Sequence, residues 1–355
     1  MLSGCQQNKK EEPSVQLNGN KQLQQEFTKE NLVVEGYVID EWLAYDNVIV
    51  IYYVNEKGQN KICTYDASNY ELLNEIETNY GPSISITKID NVFYINDLEN
   101  IYVYDYELNI INTICLDFVN SYRKNTELIA LSSDQTRIVY VIENNEEYNI
   151  KVKNLDSGQE EVLYTFDLQQ VQVHQLVSVD TLFFDTNHVA FVGHYFKTED
   201  VGIPSVQVYG TINIHDKSIT YHERDYINTK NVNGYMFIYD REIPDMTYLG
   251  TKNVDIYDFE QENLKTVNLT SSYSGFHVDV LSPNMLISYN DLWHGAAKVI
   301  IYKDGREIVV DTELPSETNY VSACYIESTE TILIWYFEGD DSIEQKLIEI
   351  VVEDV

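Results

Sequence analysis

From Phe27 to the C-terminus, short runs of Val, Ile, Leu, Phe and Tyr alternate with breaks at Asn, Asp, Glu and Gly. β-Branched and aromatic runs bounded by such residues predict strands joined by tight turns. Residues 91–117, NVFYINDLENIYVYDYELNIINTICLD, show the pattern best, with expected strands VFYIND, IYVYDYE and IINTICL. In the middle strand Ile101 and Val103 alternate with Tyr102, Tyr104 and Tyr106, so neither side is polar. A sheet wetted on one side alternates apolar with polar residues. This strand is therefore expected to be covered on both faces, and similar blocks along the chain point to small sheets stacked side by side.

Seven such units follow one another. The first holds YVIDEWLAYD, NVIVIYYVN, NKICTYD and ELLNEIE, and the second is SISITKID plus the block above. Unit three holds TELIALSSD, RIVYVIENN, YNIKVKNLDSG and EEVLYTFDL. Unit four is longer, with VHQLVSVDTLFFD, HVAFVGHYF, SVQVYGTINIHD and SITYHERD. Unit five reads GYMFIYD, MTYLGT, NVDIYDFE and LKTVNLT, and unit six GFHVDVLSP, MLISYNDLW, AKVIIYKDG and REIVVDTE. Unit seven has NYVSACYIE, TILIWYFEG and EQKLIEIVVED and lacks a fourth strand. Third strands recur at intervals of about 40 to 60 residues, the range of four-stranded propeller blades.

Unit three also carries a family resemblance. Ser132-Ser133-Asp134-Gln135 ahead of RIVYV, followed by NIKVKNLDSG, resembles the repeat of TolB-type and WD-like bacterial propellers. In that repeat S-P-D-G precedes a strand, and a later strand ends in a D-x-x-x-G-like turn. Here Ser133 stands in the Pro position and Gln135 in the Gly position, and Leu281-Ser282-Pro283-Asn284 in unit six is a second partial match. The resemblance implies an all-β fold: a single seven-bladed β-propeller of four-stranded antiparallel blades over residues 27–355. The length of unit four leaves six or eight blades as alternatives. It further implies ring closure by an N-terminal strand, with Leu32-Val33-Val34 pairing beside the last strand, which contains Leu347 and Ile350. Closure removes the open sheet edges that invite aggregation. These motifs mark turns and imply no activity.

Ahead of the strands, residues 1–26 have a different character. Leu2-Ser3-Gly4-Cys5 resembles the bacterial lipobox, which makes Cys5 the expected lipid-attachment residue. The QQNKKEEPSVQLNGNKQLQQ stretch that follows is expected to be a disordered polar tether. The charged and most of the apolar part of a signal peptide do not precede Cys5, so the chain is expected to have been trimmed, or its start misplaced, just upstream. The implied location is extracytoplasmic, on the cell surface or in the periplasm, with membrane contact through the lipid anchor only.

Charge narrows the partners. With 58 acidic against 23 basic residues the net charge is −35, which repels phosphate backbones and argues against nucleic-acid binding. No apolar run reaches the roughly 18 residues of a membrane-spanning helix. Cys63, Cys115 and Cys324 lie in apolar strand contexts and are expected to be small buried hydrophobes, neither zinc ligands nor a disulfide framework. Five of the seven His residues, His174, His188, His194, His215 and His222, fall in unit four. His188 and His194 would share a strand face, but spacing supplies no third metal ligand, so no metal is expected.

The candidate ligand-binding residues are aromatic. Loops leading into successive units repeat a tyrosine: Tyr80, Tyr122, Tyr226, Tyr273 and Tyr320. Around one mouth of a propeller channel such rings would suit sugars or peptide side chains. Packing between blades is the other reading of the same repeat. Loops between second and third strands are expected on the same face and are acidic: Asp97 and Glu99; Glu143, Glu146 and Glu147; Glu199 and Asp200; Glu338, Asp340 and Asp341. Trp293 and His294 occupy the matching loop of unit six. Glu338-Gly339-Asp340-Asp341 lacks ordered calcium-loop spacing and reads as a solvated turn. The common hydrolase, metalloprotease and phosphate-loop signatures are missing. The expected function is a monomeric, cofactor-free, non-enzymatic module that binds a glycan, peptide or protein. The alternative is a polysaccharide-active enzyme, a glycosidase or lyase, using two channel-face carboxylates about 5 to 9 Å apart, one with a raised pKa.

Overall fold

The computed structural model describes residues 28–80, 84–89, 91–119, 125–143, 147–167, 176–195, 206–223, 227–232, 235–240, 253–258, 263–268, 277–282, 285–289, 297–303, 306–311, 318–338 and 345–352. Sheet one contains β1 (Val38–Tyr45), β2 (Val48–Val54), β3 (Asn60–Asp66) and β4 (Leu72–Thr78). Sheet two contains β5 (Ser85–Ile89), β6 (Val92–Asn96), β7 (Asn100–Tyr104) and β8 (Ile110–Cys115). Sheet three contains β9 (Ile129–Leu131), β10 (Arg137–Glu143), β11 (Glu147–Asn154) and β12 (Glu160–Asp167). Sheet four contains β13 (Leu176–Phe184), β14 (His188–Tyr195), β15 (Val206–Asn213) and β16 (Ile219–Glu223). Sheet five contains β17 (Ile227–Val232), β18 (Tyr235–Asp240), β19 (Asn253–Asp258) and β20 (Asn263–Asn268). Sheet six contains β21 (His277–Ser282), β22 (Met285–Tyr289), β23 (Ala297–Lys303) and β24 (Arg306–Asp311). The last sheet has three strands, β25 (Thr318–Ile326), β26 (Thr331–Glu338) and β27 (Gln345–Val351). All pairings are antiparallel between consecutive strands.

The two-sided apolar strands are covered on both faces. In β7, Ile101 and Val103 pack toward sheet three with Ile129, Leu131 and Tyr140. Tyr104 packs the other way, with Val50, Tyr52 and Phe93. Shared clusters join sheets three and four around Val139, Phe166 and Phe191, four and five around Val192 and Tyr257, and six and seven around Leu281 and Ile334. β17 lies beside β21, linking sheets five and six. Burying one such side chain fully contributes about 1.5–3 kcal/mol, so the adhesion lies between sheets.

Turn chemistry repeats with the sheets. Between third and fourth strands an Asp or Asn side-chain oxygen caps the turn: Asp66 Oδ1 accepts from the Ser68 amide at 2.8 Å, Asp105 Oδ1 from the Asn109 amide at 2.8 Å and Asn154 Oδ1 from the Ser157 amide at 2.8 Å. Each such turn then needs one left-handed residue, Tyr70, Leu108 and Gly158 respectively. The next backbone N–H ties two of these turns, and the matching Asn213 turn of sheet four, to the neighbouring one: Ala67 donates to Asn47 O, Leu155 to Thr136 O and Ile214 to Asn187 O. In the motif turn, Ser132 Oγ donates to Asp134 Oδ1 at 2.6 Å, and Gln135 has φ +58°, the conformation that favours glycine.

Several expectations are corrected. Residues 31–36 do not form a strand: Lys29–Leu32 is a 3₁₀ turn, and the last described sheet keeps three strands. Its apolar residues find a better burial than an edge ladder. Leu32 is fully buried among Tyr53, Tyr65, Leu333 and Trp335, and Tyr53 OH donates to Leu32 O at 2.6 Å. Sheets one and seven meet around this plug. Trp42 Nε1 donates to Ser322 Oγ at 2.9 Å, Ser328 Oγ to Asp46 O at 2.6 Å and Gln345 Nε2 to Tyr37 O at 2.6 Å. In unit five the first strand is INTKNV, and YMFIYD is the second. Its Asn and Lys residues made that inner strand read as a loop, and MTYLGT lies outside the described residues. Cys63 and Cys324 are buried, but Cys115 is exposed because the outermost strand β8 turns most of its residues to solvent.

Candidate functional site

Antiparallel register gives the sheets two ends. Val38 pairs with Val54, Val54 with Asn60 and Asn60 with Thr78, so the β2–β3 turn and the chain leaving β4 share one end. Ser85, Asn96 and Asn100 occupy the same end of sheet two. This end is termed the loop face. The opposite end, bearing the β1–β2 and β3–β4 turns, is the turn face.

The best-described part of the loop face is the junction of sheets one and two. Thr78 Oγ1 donates to Asn60 Oδ1 at 2.7 Å, and Asn60 Nδ2 donates to Tyr80 O at 3.2 Å, which pins the chain as it leaves the first sheet. Tyr80 is half-buried. Its hydroxyl bonds that of Tyr104, and its ring lies 4.7 Å from Tyr102 at a 36° tilt. Burial, then the Tyr104 hydroxyl, pushes the Tyr80 phenol well above its ordinary range. Asn100 Nδ2 reaches Tyr102 OH at 3.1 Å. Tyr80 is thus tied into the packing between blades and shares its ring contact with the half-exposed Tyr102.

Polar groups surround this pair. Asp97 Oδ1 accepts from the amides of Glu99 and Asn100 at 3.0 and 2.7 Å, so this carboxylate caps its turn. Asn96, fully buried, accepts from Leu98 N at 3.0 Å. Asp40 sits where β1 bulges between Ile39 and Glu41, and desolvation raises its carboxyl. The Tyr52 hydroxyl is buried and meets no hydrogen-bond partner among the described residues. Burial, then the charge of Asp40, drives that phenol up as well. Sequence reading missed Asp40, Tyr52 and Tyr102. Only the two-sided apolar pattern of β7 hinted at Tyr102, and a bulge has no sequence signature here. The arrangement offers a tilted aromatic pair, amide groups and one carboxyl whose pKa is raised by partial desolvation, chemistry that suits hydroxyl-rich or amide ligands.

Other candidate residues lie elsewhere. Tyr320 falls inside β25, where the register shifts between Asn319 and Val321, and not in a loop. Cys5, Tyr122, Tyr226, Tyr273, Trp293 and His294 lie outside the described residues, as do His174, Glu146, Glu199, Asp200, Asp340 and Asp341. His188 Nδ1 is 3.6 Å from Asp185 Oδ2, whereas His194 Nδ1 is 3.1 Å from Asp180 Oδ2. The two imidazoles therefore face different carboxylates. No cluster of His, Cys, Asp and Glu among the described residues has metal-holding geometry. No described helix is long and apolar enough to cross a membrane.

No family model matches the chain, and no curated protein matches it. Solved structures do. An oligogalacturonate lyase from Vibrio parahaemolyticus aligns with a TM-score of 0.50 at 12% identity, over 89% of this chain and 90% of that one. A WD40 domain from Neurospora crassa aligns with a TM-score of 0.49 at 12% identity, over 84% and 85% of the two chains. The β-propeller domain of the Trilobed protease from Pyrococcus furiosus aligns with a TM-score of 0.41 at 12% identity, over 90% and 82%. At such identities the likeness is one of fold. The chain is all-β, built largely of four-stranded antiparallel sheets, and similar to β-propeller and WD40-like structures that include both enzymes and WD40 domains.

Proposed function

We propose that the chain is a lipid-anchored, extracytoplasmic β-propeller of seven blades that captures a glycan, peptide or protein on its loop face. The observation that carries this reading is the register: the turns between second and third strands and the segments leaving the fourth strands stand at one end of the sheets. A ring with its loops gathered at one mouth is a binding surface by construction. Adjacency of sheets one and seven through Trp42, Ser322 and Gln345 supports the ring, with side-chain packing in place of a shared strand. Leu2-Ser3-Gly4-Cys5 supports the anchor. Tyr102 joins Tyr122, Tyr226, Tyr273, Tyr320, Trp293 and His294 as ligand-facing residues of this reading, with Tyr80 behind Tyr102.

The test is a glycan and peptide array probed with full-length protein carrying Cys5→Ser. Binding that falls about five- to tenfold in Tyr102→Ala, with melting preserved, supports capture by stacking. Absence of any binder, or binding indifferent to Tyr102, refutes it.

A second reading, a polysaccharide-active enzyme, is favoured by one observation, the raised carboxyl of Asp40. A general acid needs a carboxyl pKa above its ordinary value, and partial desolvation shifts Asp40 in that direction. Asp40→Asn separates the readings: it abolishes turnover of a polysaccharide if Asp40 is the acid and leaves ligand capture in place if the protein only binds.

A further inference from the structure

Six large apolar side chains stand exposed among the described residues: Leu72, Leu73, Ile110, Ile111, Val162 and Val351. Exposed apolar residues scattered singly need no explanation. These are not scattered. Each lies on the outermost strand of its sheet, β4, β8, β12 or β27. Each also lies toward the turn face. Leu72 pairs with Tyr65 and Ile110 with Tyr104, at the turn ends of their ladders. Val351 pairs with Thr331, the first residue of β26. Val162 pairs with Lys151, nearer Glu160 at the turn end than Asp167 at the loop end. Sheets seven, one, two and three are consecutive neighbours, so the six residues form an arc along one rim.

The N-terminal segment enters at the middle of this arc. Glu30 is within electrostatic reach of Tyr70, in the β3–β4 turn, and the 3₁₀ turn lies against β27. From there the chain climbs past Leu32 to Tyr37, which Gln345 holds at the loop-face start of β27. The polypeptide therefore arrives on the turn-face side, between Val351 and Leu72.

We propose that this arc seats the protein on a lipid bilayer: the turn-face rim of sheets seven, one, two and three rests on the membrane surface, and the loop face points away from it. The inference rests on lipidation at Cys5. Residues 6–27 can span at most about 75 Å, which keeps the arc near any bilayer that holds a lipidated Cys5. Tethering raises local concentration, so a contact too weak to recruit the free protein suffices. Apolar burial supplies the attraction, since the rim also carries exposed Glu71 and Glu107, while Glu161 is paired with Lys217 at 2.7 Å. Those carboxylates select zwitterionic over anionic lipid.

Strand β8 contains the means of testing this. Cys115 is an exposed thiol at its loop-face end, paired with Asn100, and Ile111 lies four residues earlier on the same strand. Full-length lipidated Ile111→Cys protein on phosphatidylcholine–phosphatidylethanolamine vesicles is labelled with a membrane-impermeant maleimide. The same variant with Cys5→Ser serves as the form free in solution. The thiol at 111 is expected to react about fivefold more slowly on vesicles, because the headgroup layer shields it from an aqueous reagent, while Cys115 reacts at one rate in both forms. Leu73→Cys, on the neighbouring sheet, repeats the test and is expected to match. Protein that floats with the vesicles while both thiols label alike overturns the seating and leaves the anchor standing. Slower labelling of Cys115 in place of position 111 reverses the orientation and overturns it too. Protein that fails to float removes the anchor and the seating together.

Discussion

Leu32→Ala tests how the first and last sheets are joined. Leu32 is fully buried, packed among Tyr53, Tyr65, Cys324, Leu333 and Trp335 from both sheets. Truncating a buried Leu costs about 2–5 kcal/mol, and the large aromatic rings here leave little room for collapse, so about 3 kcal/mol is expected. Unfolding entropy of about 2.1 cal/mol/K per residue, over the roughly 240 described residues, converts that into a fall in Tm of about 6 °C. Removing residues 1–36 costs more. It removes the whole Leu32 side chain and its neighbour Val34 from the junction of the first and last sheets, and it leaves Tyr53 OH with Tyr65 OH as its partner in place of the Leu32 carbonyl. Removing residues 1–27 touches none of these contacts. Thermal unfolding by circular dichroism should therefore rank the parent with the 1–27 deletion, then Leu32→Ala, then the 1–36 deletion. Melting of Leu32→Ala within about 1 °C of the parent, against a cavity cost of at least about 2 kcal/mol, would refute the plug.

Two other perturbations follow from the same geometry. Gly210→Ala should destabilise the domain by about 3 kcal/mol in urea unfolding, since a Cβ there would overlap the Thr220 carbonyl and approach Phe191 Cζ to 2.9 Å; an unchanged midpoint would contradict the packing of β15 against β16. Glu75→Gln should lower stability by no more than about 1 kcal/mol at pH 7, because the Lys61 ammonium 2.8 Å away holds the Glu75 carboxyl below its ordinary value. A depressed carboxylate contributes stability above the unfolded pKa of about 4.3 and loses it as pH falls through the lower folded value, so the two proteins should converge at the acid end of that titration. A difference that persists there would assign the loss to packing.

Strands were legible wherever both faces are buried. β2, β7, β14 and β26 read as continuous apolar runs because a strand between two neighbouring sheets needs apolar residues on each side. The inner strand β17 was not legible, since INTKNV has little of that signal. Leu32-Val33-Val34 misled for a physical reason: a short apolar run buries equally well as a strand or as a plug, and periodicity cannot choose between them. Gln135 was legible as a turn residue, although the left-handed backbone it adopts is glycine's by preference. The candidate site was the least legible part. Tyr80 was recognised by its repeat, but its bond to Tyr104 and its contact with Tyr102 depend on two sheets meeting, which no local pattern encodes. Asp40 owes its raised pKa to partial desolvation, a product of tertiary packing.

Hydrogen–deuterium exchange of the full-length Cys5→Ser protein, with and without a binder taken from the glycan and peptide arrays, tests the central claim most directly. The account predicts protection at the loop-face segments, residues 54–60, 78–80 and 96–100, and in the strands that begin beside them. Turn-face segments 66–72, 104–110 and 154–160 should exchange at unchanged rates. Protection confined to the turn face, with the loop-face segments unchanged, would contradict it.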